Sequence, residues 1–126
     1  MRSVAKPRIV AIDDEAEFID MLTNYFVPRG YDMAAAVRAA KGIELIKERK
    51  PNVVLMDLKM PGIDGDEVLT LLRSMKPSPK VIFISAYDDG GKTKARLLGM
   101  GAYAHFDKPL SSLRELEEMV NKAAQE

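Results

Sequence analysis

The sequence predicts an α/β fold, in which a parallel sheet of five strands is covered by helices on both faces. Two observations predict this fold. Short apolar runs alternate with amphipathic stretches five times along the chain, and several runs are apolar without interruption. Alternating strands and helices are typical of a parallel sheet, and unbroken apolar runs are typical of strands covered on both faces. The predicted strands are 8–12, 31–37, 53–56, 81–84 and 102–106.

Five amphipathic helices are predicted, one after each strand. The first ends at the break Pro28-Arg29-Gly30, the second runs from about 38 to 49, and the fourth ends near Gly99. The third and fifth begin at Asp64-x-x-Glu67 and Ser112-x-x-Glu115, which resemble capping boxes. Apolar residues at helical spacing predict the inward faces. These residues are Phe18, Ile19, Leu22, Tyr25 and Phe26; Ala39, Ile43 and Ile46; Val68, Leu71, Leu72 and Met75; and Leu113, Leu116 and Val120.

The composition narrows the class of protein. A length of 126 residues suits one domain, expected over 1–126 with a folded core at about 8–123. The 19 basic and 19 acidic residues balance, so we expect no direct binding to nucleic acid or a membrane. The absence of cysteine excludes disulfides, thiol catalysis and cysteine zinc sites. With no apolar run near ~20 residues and no signal peptide, we expect a cytoplasmic protein.

Polar side chains follow four of the predicted strands. Asp13 and Asp14 come after the first strand, Asp57 after the third, Ser85 after the fourth, and Lys108 two residues after the fifth. Open parallel sheets bind ligands outside the carboxyl ends of their strands. We therefore expect these side chains to converge on one cleft.

Three carboxylates in one cleft repel each other, by roughly 4 kcal/mol for a pair at about 4 Å with an effective dielectric constant near 20. Either protonation of a carboxylate or a bound cation must offset this repulsion. Oxygen ligands together with a phosphate favour Mg²⁺. Glu15 is interpreted instead as an acid in the first turn of a helix, favoured by the helix dipole.

Asp57 is the candidate nucleophile, because carboxylates can accept phosphoryl groups as aspartyl phosphates. Phosphoryl transfer requires alignment and neutralisation of charge. A metal ion, the Lys108 ammonium and the Ser85 hydroxyl could each contact a phosphoryl oxygen. Each residue alone has an ordinary structural explanation, so the hypothesis depends on their joint placement.

Taken together, these motifs resemble the receiver domains of response regulators in two-component signalling systems. The resemblance extends from about Arg8 to the last helix. It implies a flavodoxin-like (βα)5 fold with strand order 2-1-3-4-5. It also implies a regulatory switch, not an enzyme, with at most slow self-phosphorylation and self-dephosphorylation. The matching motifs are Asp13-Asp14, Asp57-Leu-Lys-Met-Pro-Gly62, Ile84-Ser85-Ala86 and Lys108-Pro109.

The resemblance also implies a role for each matching residue. Asp57 would be the phosphoacceptor, Ser85 the switch hydroxyl and Lys108 the phosphate-binding lysine. The implied Mg²⁺ ligands are Asp13 (partly through water), Asp14, Asp57 and the backbone carbonyl of Lys59. The Lys108–Pro109 bond is expected to be cis, since proline lowers the cost of that isomer.

His105, the only histidine, occupies the position where this family usually has a rotating Tyr or Phe. One interpretation is that it turns inward behind Ser85 on activation; the alternative is a surface histidine at a strand end. Lys59 and Tyr87 lie two positions after Asp57 and Ser85, where their bulk is predicted to slow hydrolysis of the phosphoryl group.

The implied partners are a histidine kinase or phosphotransfer protein as phosphoryl donor and a downstream protein or output domain as receiver of the signal. The output surface would be formed by helix 4, strand 5 and helix 5. Phosphorylation-dependent pairing with a second copy is a further possibility that the resemblance implies.

Three alternatives compete with this interpretation. A haloacid-dehalogenase-type enzyme needs Asp-x-Asp, but Lys59 stands where the second acid would be. A flavodoxin-type flavin binder needs a Ser-, Thr- and Gly-rich loop after the first strand, where this chain has Asp-Asp-Glu. A receiver-like module that is never phosphorylated stays open, and beryllofluoride binding with and without Mg²⁺ would discriminate it.

Overall fold

A computed structural model describes residues 6–86 and 89–126. Five strands form one sheet in the order β2-β1-β3-β4-β5, and each neighbouring pair is parallel. This confirms the predicted parallel sheet and its strand order. The strands are β1 (Arg8–Ile12), β2 (Asp32–Ala36), β3 (Val53–Met56), β4 (Lys80–Ser85) and β5 (Ala104–Asp107).

Helices cover both faces of this sheet. They are α1 (Ala16–Phe26), α2 (Ala39–Arg49), α3 (Gly65–Arg73), α4 (Lys92–Gly99) and α5 (Leu113–Gln125). Apolar residues of α2, α3 and α4 form one buried cluster, and those of α1 and α5 form the other. Alternate strand residues contribute to opposite clusters, Val10 and Ile12 to the first and Ile9 and Ala11 to the second. This two-sided burial explains the unbroken apolar runs.

The chain breaks between α1 and β2 where the sequence predicted. Val27–Arg29 forms one 3₁₀ turn that contains Pro28. Gly30 follows with φ 94°, a left-handed conformation that glycine adopts without steric cost. None of the described helices is long and apolar enough to cross a bilayer.

The fifth strand begins later than the predicted range 102–106. Ala102 belongs to the turn that ends α4, because its N–H donates to the Leu97 carbonyl at 3.0 Å. β5 then extends to Asp107, so Lys108 follows the strand directly instead of two residues later.

The serine half of one of the two predicted capping boxes is present. Ser112 Oγ accepts a hydrogen bond from the Glu115 N–H at 3.1 Å at the start of α5. Asp64 is the N-cap residue of α3, but its side chain accepts no capping hydrogen bond. Its carboxylate lies 3.4 Å from Nζ of Lys59, and this competing ion pair explains why the predicted box with Glu67 is wrong.

The buried face of α3 also differs from the prediction at one residue. Val68, Leu69 and Leu72 are buried, whereas Leu71 is 51% exposed. The buried residues are spaced i, i+1 and i+4 on one helix face, and Leu71 lies beyond the edge of that face. The prediction placed Leu71 inward in place of Leu69 because both leucines suit the sequence pattern.

Candidate functional site

The five polar residues that follow strands lie at one edge of the sheet. Asp13 and Asp14 follow β1, Asp57 follows β3, Ser85 ends β4 and Lys108 follows β5. These strands are neighbours in the sheet, so their carboxyl ends meet. A cavity of about 210 Å³ lies there, lined by Glu15, Asp57, Lys59, Ser85, Ala86 and Lys108.

Backbone hydrogen bonds continue the strand pairing past the strand ends and hold these residues in place. The N–H of Asp13 donates to the Ala36 carbonyl at 3.1 Å, and the N–H of Asp57 donates to the Ile12 carbonyl at 3.0 Å. On the other side of the site, the Lys108 N–H donates to the Ser85 carbonyl at 2.9 Å. The positions of the side chains are therefore fixed by the sheet and not by a flexible loop.

Three carboxylates form a close group at this edge. Asp13, Asp14 and Asp57 each offer an oxygen, and the three oxygens lie within 4.8 Å of one another. Asp13 is 2% exposed and Asp57 is 8% exposed, whereas Asp14 is exposed. Burial, followed by the neighbouring charge of Asp13, raises the pKa of Asp57 from 3.8 to about 6. Burial also raises the pKa of Asp13, against the opposing effect of Lys108.

Lys108 offsets part of the repulsion among these acids. Its Nζ lies 2.8 Å from Asp13 Oδ2, 2.6 Å from Glu15 Oε1 and 3.5 Å from Asp57 Oδ2. Burial lowers the pKa of Lys108, but the contacts with Asp13 and Glu15 outweigh it and leave that pKa raised. The ammonium therefore stays charged, and the chain itself supplies one of the cations that the acidic cluster requires.

Glu15 takes a different role from the predicted one. It is the N-cap residue of α1, and the acid in the first turn is Glu17. The Glu15 side chain is 63% exposed and its carboxylate contacts Lys108. A charge-assisted contact with an ammonium is stronger than the attraction of a helix dipole. Glu15 nevertheless stays outside the group of three carboxylates, as predicted.

The residues present suit a hard divalent cation. Their donors are carboxylate oxygens, which Mg²⁺ prefers. Asp13 Oδ2 is buried, and its ion pair with Lys108 Nζ at 2.8 Å shows that this oxygen faces a cation in the site. Lys59 lines the cavity, and ligation by its backbone carbonyl stays a prediction.

His105 is buried beside Ser85, so the alternative of a surface histidine is wrong. It is 8% exposed, and its Nε2 lies 2.9 Å from Ser85 Oγ. The sheet pairs β4 with β5 so that His105 lies opposite Phe83, and its side chain faces into the protein. Burial lowers the pKa of the imidazole. His105 thus occupies the inward position, and its role as a switch stays a prediction.

Gly65 is a site residue that the sequence analysis missed. A Cβ atom there would lie 2.3 Å from the Asp57 carbonyl oxygen and 2.8 Å from the Phe83 ring. Glycine thus lets α3 approach the backbone of Asp57 closely. The Gly-rich loop before α3 was a visible signal, but this contact depends on how α3 packs.

Two peptide bonds before proline are cis. The Lys108–Pro109 bond is cis, as predicted, and the Lys76–Pro77 bond is cis as well. Tyr87, which was predicted to slow hydrolysis, lies outside the described residues.

Comparisons with known proteins agree with this geometry. A sequence profile of the response regulator receiver domain matches residues 9–121. Sporulation initiation phosphotransferase F of Bacillus subtilis is 28% identical over 91% of both chains. Regulatory protein AtoC of Escherichia coli is 34% identical over 94% of this chain, which corresponds to 25% of AtoC.

Solved structures extend the agreement to the whole fold. The receiver domain of the Francisella response regulator 1452 superposes with a TM-score of 0.86 at 28% identity, covering 95% of this chain and 98% of that one. The receiver domain of the putative response regulator NarL from Mycobacterium tuberculosis gives 0.84 at 30% identity, covering 97% and 98%. The haloacid-dehalogenase and flavin-binder alternatives are therefore wrong. This chain belongs to the family of response regulator receiver domains, which are phosphoacceptor signalling modules.

Proposed function

We propose that this protein accepts a phosphoryl group on Asp57 in a Mg²⁺-dependent reaction. The donor is a histidine kinase, a phosphotransfer protein or a small acyl phosphate. One observation carries the proposal: the buried Asp57 carboxylate, whose pKa is raised, lies close to Asp13 and Asp14 and 3.5 Å from the half-buried Lys108, with which it lines one cavity. The Lys108 ammonium in this cavity would offset negative charge on a transferred phosphoryl group.

The transfer step needs Asp57 in its ionised form. A carboxylate oxygen of Asp57 attacks phosphorus and forms an O–P bond, while the bond from phosphorus to the donor nitrogen or acyl oxygen breaks and the electron pair leaves with the donor. A pKa of about 6 leaves most Asp57 ionised above neutral pH. The Leu58 N–H donates to Asp57 Oδ1 at 2.8 Å and fixes the orientation of the carboxylate.

Asp13, Asp14 and Asp57, with the Lys59 carbonyl, would hold the Mg²⁺ ion. When bound, the ion supplies positive charge for the phosphoryl oxygens. Lys108, whose Nζ lies 3.5 Å from Asp57 Oδ2, would contact a second phosphoryl oxygen, and the Ser85 hydroxyl would donate to a third. Asp13 and Asp57 lose part of their mutual repulsion in that arrangement.

Phosphorylation changes the surface formed by α4, β5 and α5, and this surface controls partner binding. A groove of about 630 Å³ lies on this surface, lined by apolar and polar residues. His105 lines this groove and also contacts Ser85, so it joins the site to the surface. New contacts to the phosphoryl group shift the equilibrium between an inactive and an active conformation of the domain. The two conformations differ at this surface.

The occupant of that surface is a downstream protein, an output domain or a phosphorylation-dependent second copy, in the cytoplasm and without direct contact to nucleic acid or membrane. Residues 1–126 act as one receiver domain, with a folded core at about 8–123. Binding is the output, and catalysis is limited to slow self-phosphorylation and self-dephosphorylation.

Beryllofluoride, which mimics a phosphoryl group, tests this function. Calorimetric titration should detect binding to the wild-type protein with Mg²⁺ present and none after chelation. Asp57→Asn should abolish binding because it removes the oxygen that holds beryllium. Asp20→Asn, at an exposed position of α1, is the matched control and should bind normally. Binding that persists in Asp57→Asn, or that needs no divalent ion, would contradict the proposal.

A further inference from the structure

The contact between Ser85 and His105 has a direction that the structure allows us to assign. Ser85 is 2% exposed, and its Oγ lies 2.9 Å from His105 Nε2. Within the described part of the chain, Nε2 is the hydrogen-bond partner of this hydroxyl. Either the serine donates to an unprotonated Nε2, or a protonated Nε2 donates to the serine oxygen.

The other ring nitrogen decides between these two arrangements. His105 Nδ1 is buried and makes no hydrogen bond with any of the described residues. Among the described residues, the Asp107 carboxylate lies 3.9 Å from Nδ1, which is too distant for a hydrogen bond. A buried N–H without a partner is less tolerated than an unpaired acceptor. The proton of a neutral ring therefore lies on Nε2, which then donates to Ser85 Oγ.

The surroundings of His105 favour the neutral ring. Among residues 6–86 and 89–126, the charged groups that act on it are Asp107 of β5, Lys94 of α4 and Asp89 in the connection before α4. Burial is the largest influence on the imidazole, and it lowers its pKa.

An Nε2–H donor determines where the hydroxyl proton of Ser85 points. Because the Nε2–H donates to one lone pair of Ser85 Oγ, the hydroxyl proton points away from the ring and can donate to a different acceptor. Ser85 lines the same 210 Å³ cavity as Asp57 and Lys108, so that proton is free to point into the cavity.

We propose that His105 is a positioning residue for phosphoryl recognition, which donates its Nε2–H to Ser85 and so directs the Ser85 hydroxyl proton toward a phosphoryl group on Asp57. This inference rests on the function proposed above and goes beyond it. In the usual Tyr or Phe arrangement the ring moves behind the hydroxyl, whereas here the ring bonds to the hydroxyl itself.

The tautomer can be measured directly because the chain has one histidine. A long-range proton–nitrogen NMR spectrum of the wild-type protein separates the two neutral tautomers without ambiguity. The Nε2–H tautomer is expected near neutral pH, before and after addition of Mg²⁺ and beryllofluoride. The Nδ1–H tautomer in the beryllofluoride complex would overturn the inference, since Ser85 would then donate to the ring.

A double-mutant cycle tests the effect on recognition. His105→Phe keeps a buried ring but removes the donor, and should weaken beryllofluoride binding in the presence of Mg²⁺ roughly fivefold. In the Ser85→Ala background the same change should cost nothing further, since the hydroxyl is already gone. If His105→Phe lowered beryllofluoride affinity equally in both backgrounds, the inference would be overturned, because the ring would then act independently of the Ser85 hydroxyl.

The two proposals fail in distinguishable ways. A wild-type protein that binds no beryllofluoride with Mg²⁺ overturns the proposed function and this inference together. If beryllofluoride binds normally, two results overturn this inference alone. One is the Nδ1–H tautomer, and the other is an equal loss of affinity from His105→Phe in the wild-type and Ser85→Ala backgrounds.

Discussion

Lys108→Met is expected to lower the free energy of unfolding by about 3 kcal/mol at pH 8 without divalent ions, because it leaves a group of buried acids uncompensated. In the wild-type protein the ammonium contacts Asp13, Glu15 and Asp57 at 2.6–3.5 Å. The Lys108 side chain is 10% exposed and Asp13 and Asp57 are buried, so solvent screens those two contacts weakly, whereas Glu15 is exposed. Urea unfolding of the two proteins measures the difference.

Addition of Mg²⁺ should restore much of the lost stability of Lys108→Met. A ligand that binds the folded state alone stabilises it, and the ion would replace part of the missing positive charge. Lys122→Met, at an exposed position of α5, is the matched control and should change stability little. If Lys108→Met were no worse than Lys122→Met, or if Mg²⁺ gave both variants the same gain, the charge balance described here would be incorrect.

Asp57→Asn is expected to stabilise the protein at alkaline pH, in a way that depends on pH. The pKa of Asp57 is raised from 3.8 to about 6 in the folded protein. Between these values the folded state binds more protons than the unfolded state, so stability falls as pH rises. Above pH 6 the ionised Asp57 lowers the free energy of unfolding by its full amount, at most about 3 kcal/mol. Asparagine is uncharged, so the variant does not lose this stability.

Urea unfolding at pH 4 and pH 8 without Mg²⁺ tests this expectation. The wild-type protein and Asp57→Asn should be similarly stable at pH 4, and the variant should be more stable at pH 8. Saturating Mg²⁺ at pH 8 should reduce the gap, since the ion stabilises the ionised carboxylate. Asp20→Asn should show no pH-dependent gain. A constant difference between the wild-type protein and Asp57→Asn at both pH values would indicate that Asp57 does not titrate in this window.

The sheet and its acidic edge could be predicted from sequence for a simple physical reason. Strands buried on both faces must be apolar throughout, and β1, β3 and β4 have this pattern. Parallel strands bring their carboxyl ends together, so Asp13 and Asp57 had to lie close to each other. The start of β5 was predicted too early, because Ala102 bonds to the last turn of α4 and composition does not show that bond.

The partners of individual side chains were harder to predict. The Lys108–Glu15 contact depends on the direction taken by two long side chains from opposite ends of the sequence. The burial of His105 depends on the register of β4 and β5, which sets the face on which the ring lies. The need for glycine at position 65 arises from contact of α3 with the Asp57 backbone. Each of these follows from tertiary packing, which local sequence patterns do not encode.

Intact-protein mass spectrometry after incubation with acetyl phosphate tests the central claim most directly. With Mg²⁺ present, the wild-type protein and Asp20→Asn should gain the mass of one phosphoryl group, and the gain should disappear on chelation. Asp57→Asn should gain no mass under the same conditions. An unmodified wild-type protein, or an equal gain in Asp57→Asn, would contradict the claim that the acidic edge of this sheet places a phosphoryl group on Asp57.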